Sequence, residues 1–192
     1  MSRTATLTRV MVIRPGATDF DDQGRMKGSL DMPLSERGEQ QVETLAAALA
    51  DIPFKTIYCC PSESARATAD RLSEAHDVKV KVVDAFKNVD HGLWHGKLIE
   101  EVRRNHPRVY RQGIDHAEEF CAPGGEGLME AKARVLKALN KCVRKGRDEI
   151  VALVIPEPMA SVVTSLLNGQ PIEDLWRRET DSASWELIDT EI

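Results

Sequence analysis

Apolar and β-branched side chains gather into five short runs, at residues 8–14, 55–60, 78–83, 149–155 and 184–189. Runs of this length and composition predict β-strands. Between them the apolar positions recur with a helical period. Residues 35–50 carry Val42, Leu45 and Leu49 on one stripe behind a Ser35 start, residues 62–76 follow the same rhythm, and residues 127–145 align Leu128, Val135, Leu139 and Cys142. Strand and helix alternate, which predicts an α/β fold: a three-layer α/β/α sandwich around a mainly parallel sheet. The stretch at about 84–123 breaks the alternation, with helical signals and no strand, and is expected to form a helical lid or insertion over one sheet edge. Repeats and low-complexity linkers are absent, so the 192 residues are expected to form a single domain.

Ligands of an open parallel sheet bind outside the carboxyl ends of its strands, where loops run into helix N-termini. That rule selects three segments: Arg14-Pro15-Gly16-Ala17-Thr18, residues 59–64, and Ile155-Pro156-Glu157-Pro158.

Composition narrows the classes of function. Lys and Arg number 26 against 31 Asp and Glu, a net charge of -5, the wrong sign for a protein that lives on phosphate backbones. Nucleic acid is therefore not an expected partner. The first residues contain no apolar leader, and no apolar run reaches the roughly 18 residues of a membrane span. A soluble, cytoplasmic protein without membrane contact is expected. Cys59, Cys60, Cys121 and Cys142 show no metal-binding spacing and read as reduced thiols. Neither metal nor cofactor is expected.

Motifs then add a resemblance over nearly the whole chain. Arg14-Pro15-Gly16-Ala17-Thr18, Asp21, Gly24-Arg25, Gly28, Asp31-Met32-Pro33-Leu34-Ser35, Gly38 and Gln41 run in the order of a family that opens with Arg-His-Gly-Glu-Thr. Tyr58-Cys59-Cys60 through Arg66-Ala67-Thr68-Ala69, then Asn88 through Gly96, Pro123-Gly124-Gly125-Glu126 and Val154 through Pro158 continue it. On these residues the chain resembles the histidine phosphatase superfamily, which includes the cofactor-dependent phosphoglycerate mutases. The resemblance implies a phosphoglycerate mutase-like fold. It also implies an imidazole that attacks phosphorus, a second imidazole and two guanidiniums that hold the phosphoryl oxygens, and an acid that protonates the leaving oxygen.

In this chain the nucleophile position is Pro15, the second imidazole is Pro156, one arginine is Ser64 and the acid is Asn88, so only Arg14 survives. Proline offers phosphorus no lone pair and an anion no N–H. An amide in place of the acid removes roughly 10²- to 10⁴-fold of catalysis. Glu157 and Asp21 stand where the family carries neutral residues, so an incoming phosphate is expected to face carboxylates. The expectation is a catalytically degenerate member, a pseudoenzyme with a binding, scaffolding or regulatory role. Its residual pocket would comprise Arg14, Thr18, Asp21, Arg25, Cys60 and Glu157. Its partner would be an unidentified protein or small molecule, with a homodimer left open. The alternative is a phosphatase or phosphoester hydrolase with an altered, non-histidine site using Arg14, Thr18 and Cys60 or Glu157. A third reading is a receptor for a cationic or neutral molecule at an acidified mouth of Asp21, Asp22 and Glu157.

Other motifs read more plainly. Arg66 leaves α-helical residues 62–76 about 200° from Ser64, so it is expected in solvent rather than as a replacement clamp. Cys60 and Arg66 match a Cys-x5-Arg spacing, but Pro61 removes a donor, Glu63 repels an anion and no glycine relaxes the loop. His91 and His95 flank Gly92, which disfavours a helical metal pair. His76, His106 and His116 are expected at helix ends on the surface, complementing the dipole. The basic run Arg103-Arg104-Asn105-His106-Pro107-Arg108 reads as a solvated helix face, and Trp176-Arg177-Arg178 as a packed helix end or an interface anchor.

Overall fold

Seven buried or paired residues of the first hydrophobic run open the structure as strand β1 (Leu7–Ile13), in a computed structural model that describes residues 7–146, 149–172, 174–178 and 181–191. Residues 1–6, most of the stretch expected to lack an apolar leader, lie outside them. Strands β2 (Phe54–Cys59), β3 (Val80–Val82), β4 (Ile150–Val154) and β5 (Trp185–Glu191) join β1 in one sheet of order β3-β2-β4-β1-β5. The first four run parallel, and β5 pairs antiparallel along β1. The mostly apolar β4 is buried along its whole length because both its edges and both its faces are covered.

Helix α1 (Asp19–Asp22) is a single turn; α2 (Glu36–Leu49) starts where the Ser35 hydroxyl accepts the Gly38 N–H at 3.1 Å. Helix α3 (Glu63–His76) ends on Asp77 in the left-handed region, at φ 51°. Residues 84–123 contain helices α4 (Ile99–Asn105) and α5 (Pro107–Asp115) between short 3₁₀ turns. Extended pairing here is limited to isolated bridges, among them Arg25 with Leu98, which ties this segment to the loop after α1. Helices α6 (Leu128–Lys145) and α7 (Met159–Asn168) pack on each other and on β1, while α2 and α3 pack together and α3 covers β2 to β4. The result is the expected α/β/α sandwich. Among the described residues no helix is long and apolar enough to cross a membrane.

Two glycines decide how the β1 turn seats on α2. A Cβ on Gly38 would lie 2.0 Å from the Ala17 carbonyl oxygen, and one on Gly16 would lie 2.6 Å from the Gly38 carbonyl oxygen. The backbones touch directly, so neither position has room for a side chain.

Candidate functional site

The turn that leaves β1 has spent its backbone donors on the protein itself. Arg14 N–H goes to the Ser184 carbonyl at 2.8 Å, Gly16 N–H to the Thr68 hydroxyl at 3.1 Å, Ala17 N–H to Gln41 Oε1 at 3.0 Å and Thr18 N–H to Asp21 Oδ2 at 2.7 Å. Pro15 between them has none to offer. No cradle of free N–H groups is presented to an anion here.

The Arg14 side chain is equally committed. Its Nε donates to Glu157 Oε1 at 2.6 Å and its Nη2 to Glu186 Oε1 at 2.8 Å, with only 1% of the arginine side chain exposed. The second Glu157 oxygen accepts the Ser161 N–H at 3.1 Å, in the first turn of α7. Asn88 completes the knot: its amide nitrogen donates to the Gly28 and Glu157 carbonyls at 2.9 and 2.7 Å, and its Oδ1 accepts the Met159 N–H at 3.1 Å. Burial opposes charge on Arg14, yet Glu157 and Glu186 hold its pKa above the ordinary arginine value. Burial pushes the Glu157 carboxyl up against the pull of Arg14 and Ser161. Glu186 also feels burial, but Arg14 and Arg178 hold it below the usual range.

Beside this knot a cleft of about 140 Å³ opens at the carboxyl ends of β2 and β4. It is lined by Lys27 to Asp31, Cys60, Pro61, Ser62, Ser64, Lys87, Asn88 and Pro156. The sheet therefore does bring Ser64, Asn88, Pro156 and Cys60 together. It leaves Arg14 and Pro15 out of the lining, and Arg14 instead floors a second, polar cleft of about 450 Å³ with Ser161, Thr164, Arg177, Arg178 and Glu186.

Several expectations need correction. Thr18 and Asp21 do not line the cleft: the Thr18 hydroxyl donates to Asp21 Oδ2 at 2.8 Å, and Asp21 holds the buried Lys27 ammonium at 2.7 and 2.8 Å. Arg25 donates to the Gly96 carbonyl at 2.6 Å and fastens the 84–123 segment. Glu157 faces its own guanidinium, so neither it nor Asp21 confronts the cleft as an uncompensated charge. Of the three carboxylates of the expected acidified mouth, Glu157 and Asp21 each have a buried cation within hydrogen-bond reach, while Asp22 pairs with the exposed Arg37. Cys60 is in the cleft, where burial pushes its thiol up despite interactions with Ser62 and the Asn88 backbone. A thiol in that state is a poor nucleophile.

The remaining motifs settle into structural places. Ser64 is buried and Arg66 exposed on α3. His95 Nε2 accepts the N–H groups of His91 and Ser29 at 3.2 and 3.3 Å, and the two imidazoles lie 6.4 Å apart. His76 is not an exposed imidazolium: its ring packs 4.6 Å from that of Phe54, and burial lowers its pKa. His106 lies 5.8 Å from the Trp94 ring, while Trp176 packs on Tyr110 at 5.1 Å and donates to the Tyr110 carbonyl. Trp176 is thus a packed anchor.

Sequence reading missed Lys27 and Lys87, two lysines of the cleft lining of which the first commits its ammonium to Asp21, and Glu186, the second partner of Arg14. Glu186 did carry a signal. It shares its face of β5 with the buried Ile188 and Thr190, where a charge needs a partner.

Comparison with known proteins agrees with this architecture. The chain belongs to the histidine phosphatase superfamily (branch 1), whose model matches residues 10–191. Phosphoserine phosphatase 1 of Hydrogenobacter thermophilus is 30% identical over 186 residues, 96% of this chain and 88% of that one. The adenosylcobalamin/alpha-ribazole phosphatase of Salmonella typhimurium is 23% identical over 94% of this chain and 90% of its own. Among solved structures, mycobacterial glucosyl-3-phosphoglycerate phosphatase superposes with a TM-score of 0.81 at 23% identity, covering 95% of this chain and 90% of that one.

Proposed function

We propose that this chain is a catalytically inactive member of its superfamily, a protein of binding, scaffolding or regulatory role. One observation carries the reading: the surviving Arg14 is locked to Glu157 at 2.6 Å beside Pro15 and Pro156, so clamp, nucleophile and second imidazole are all missing from the cleft. Covalent transfer through histidine has no atom to run on at Pro15 or Pro156, and the amide of Asn88 is not acidic enough to protonate a leaving oxygen. The 84–123 segment, which supplies Lys87 and Asn88 to the cleft rim, is proposed to act as its lid. A reducing, cytoplasmic setting belongs to the same reading and is supported by four free thiols.

The relatives taken alone favour the other reading, a phosphatase or phosphoester hydrolase with a non-histidine site, because those named above are phosphatases. Lys87, which lines the cleft, also suits a phosphoester. Purified protein incubated with p-nitrophenyl phosphate, phosphoserine and phosphoglycerate separates them. The expected result is no release of phosphate above a mock preparation and no acid-labile phosphoprotein. Turnover that tracks the protein through two unrelated purification steps establishes the second reading instead.

A further inference from the structure

The two edge strands of the sheet are built differently. β3 is three residues long with Lys81 at its centre, and a short edge that carries a lysine resists further pairing. β5 is seven residues long and has no lysine, arginine, proline or glycine, and among the described residues no strand pairs with its outer side. Its side chains alternate between faces. Ile188 and Thr190 are buried on one, whereas Trp185 and Leu187 on the other are 45% and 43% exposed. These two stand opposite the fully buried Ile13 and Met11 of β1, so the apolar surface of the sheet runs on past its covered part and stops bare at the edge. A single exposed leucine is ordinary. Two large apolar side chains on one face, beside a row of backbone groups with no neighbouring strand, are a template for one.

We propose that this neighbour is β5 of a second copy of the chain, paired antiparallel across a two-fold axis so that the two sheets become one. Charge favours that occupant and sets the register. An axis at Glu186 or at Asp189 would oppose identical carboxylates, which costs stability. An axis at Leu187 sets Leu187 against its own copy, Trp185 diagonal to it and Glu186 against Ile188, with no acid opposite an acid. Glu186 is in any case already held by Arg14 and Arg178 within its own chain. In this register Trp185 faces Asp189 of the partner subunit. The cleft of about 350 Å³ beside Trp185 is lined by Arg37 of α2, whose side chain is half exposed although it pairs with Asp22. The exposed Asp189 of each copy thus arrives beside a guanidinium of the other, and the symmetry makes the contact twice. This interface lies at the far edge from β3 and stands apart from the cleft at β2 and β4, so it does not depend on whether that cleft is inactive.

Weight-average mass by sedimentation equilibrium is to be measured over a dilution series for the wild type, for Trp185→Lys/Leu187→Lys, and for Met129→Lys, which changes an exposed apolar residue on α6. The wild type and Met129→Lys are expected at twice the chain mass, falling towards one chain mass on dilution. The double lysine variant is expected at one chain mass throughout, with its far-ultraviolet circular dichroism unchanged. Should that variant fail to fold, Leu187→Cys in a Cys121→Ser background decides, since the other thiols are buried. A short bis-maleimide linker is expected to join two such chains and to leave Met129→Cys chains in the same background single. A wild type of one chain mass at every concentration overturns the proposal. So does a dimer that persists in the double lysine variant, or one that Met129→Lys abolishes as fully. Leu187→Cys chains that cross-link no more than Met129→Cys chains overturn it as well.

Discussion

A guanidinium binds whichever oxyanion is held nearest, and for Arg14 that is Glu157 rather than anything from solvent. Breaking such a buried pair on one side only costs about 3–5 kcal/mol, because the remaining charge stays dry, and this opposes any fluctuation that would free Arg14 for a ligand. His95 is a second residue whose state follows from its neighbours. Burial lowers its pKa, as does His91, against an opposing pull from Asp90. Its Nε2 must remain unprotonated to accept two backbone N–H groups. A histidine depressed in the fold binds fewer protons than in the unfolded chain, whose imidazoles titrate near 6.5, so stability is complete above about pH 7 and falls as the pH drops through about 6.5. The thermal midpoint is expected to fall between pH 7 and pH 5, and His95→Gln to fall less, with His76 supplying part of the remainder. Equal pH profiles for the two proteins would remove His95 from this account. Of these residue-level facts the sequence showed identities and not partners. Asp21 read as a charge facing the cleft, and only the turn through Gly24 and Gly28, both at positive φ, brings Lys27 back onto it.

At the scale of elements, periodicity located all five strands and three of the longer helices to within a residue or two, since burial on one face is written directly into the spacing. The direction of β5 was not so written. A strand at an edge reads alike in either sense, and its antiparallel pairing with β1 is what carries Glu186 to Arg14. The β1 turn depends on backbone contact between elements, which gives a test. Gly38→Ala would place a methyl 2.0 Å from the Ala17 oxygen, backbone that has no rotamer to yield. A loss of about 1–3 kcal/mol in urea unfolding is expected. Gly24→Ala, whose Cβ meets nothing within 4 Å but sits at φ 65°, is expected to lose about 1 kcal/mol from backbone strain alone. A Gly38→Ala protein as stable as the wild type would show that the turn can move away from α2.

At the scale of the whole molecule, three segments distant in sequence spend their donors and charges on one another and on their neighbours. The β1 turn spends its N–H groups on Thr68, Gln41 and Asp21, α7 spends its own on Asn88 and Glu157, and β5 adds Glu186. On the inactive reading proposed above, reinstating one group is insufficient. Pro15→His, alone or with Pro156→His, is expected to show no hydrolysis of p-nitrophenyl phosphate above the wild type while Arg14 remains paired. Turnover from Pro15→His alone would mean that the ion pair is no barrier to catalysis. The superfamily membership and the fold stand whichever way that experiment falls, because stability resides in the framework and chemistry in the site.

From the sequence alone came the sandwich and the loops at which to look, which follow from periodicity, a local property. The reading of Pro15, Ser64, Asn88 and Pro156 as replaced catalytic positions came from the family resemblance and belongs to the proposed function. Tertiary structure alone decided where the charges went: Arg14 out of the cleft and onto Glu157 and Glu186, Asp21 onto Lys27, and Lys27 and Lys87 into the lining. Ion pairing acts over a few ångströms in space, and residues 143 positions apart in the chain acquire that proximity only when β1 and β4 lie side by side.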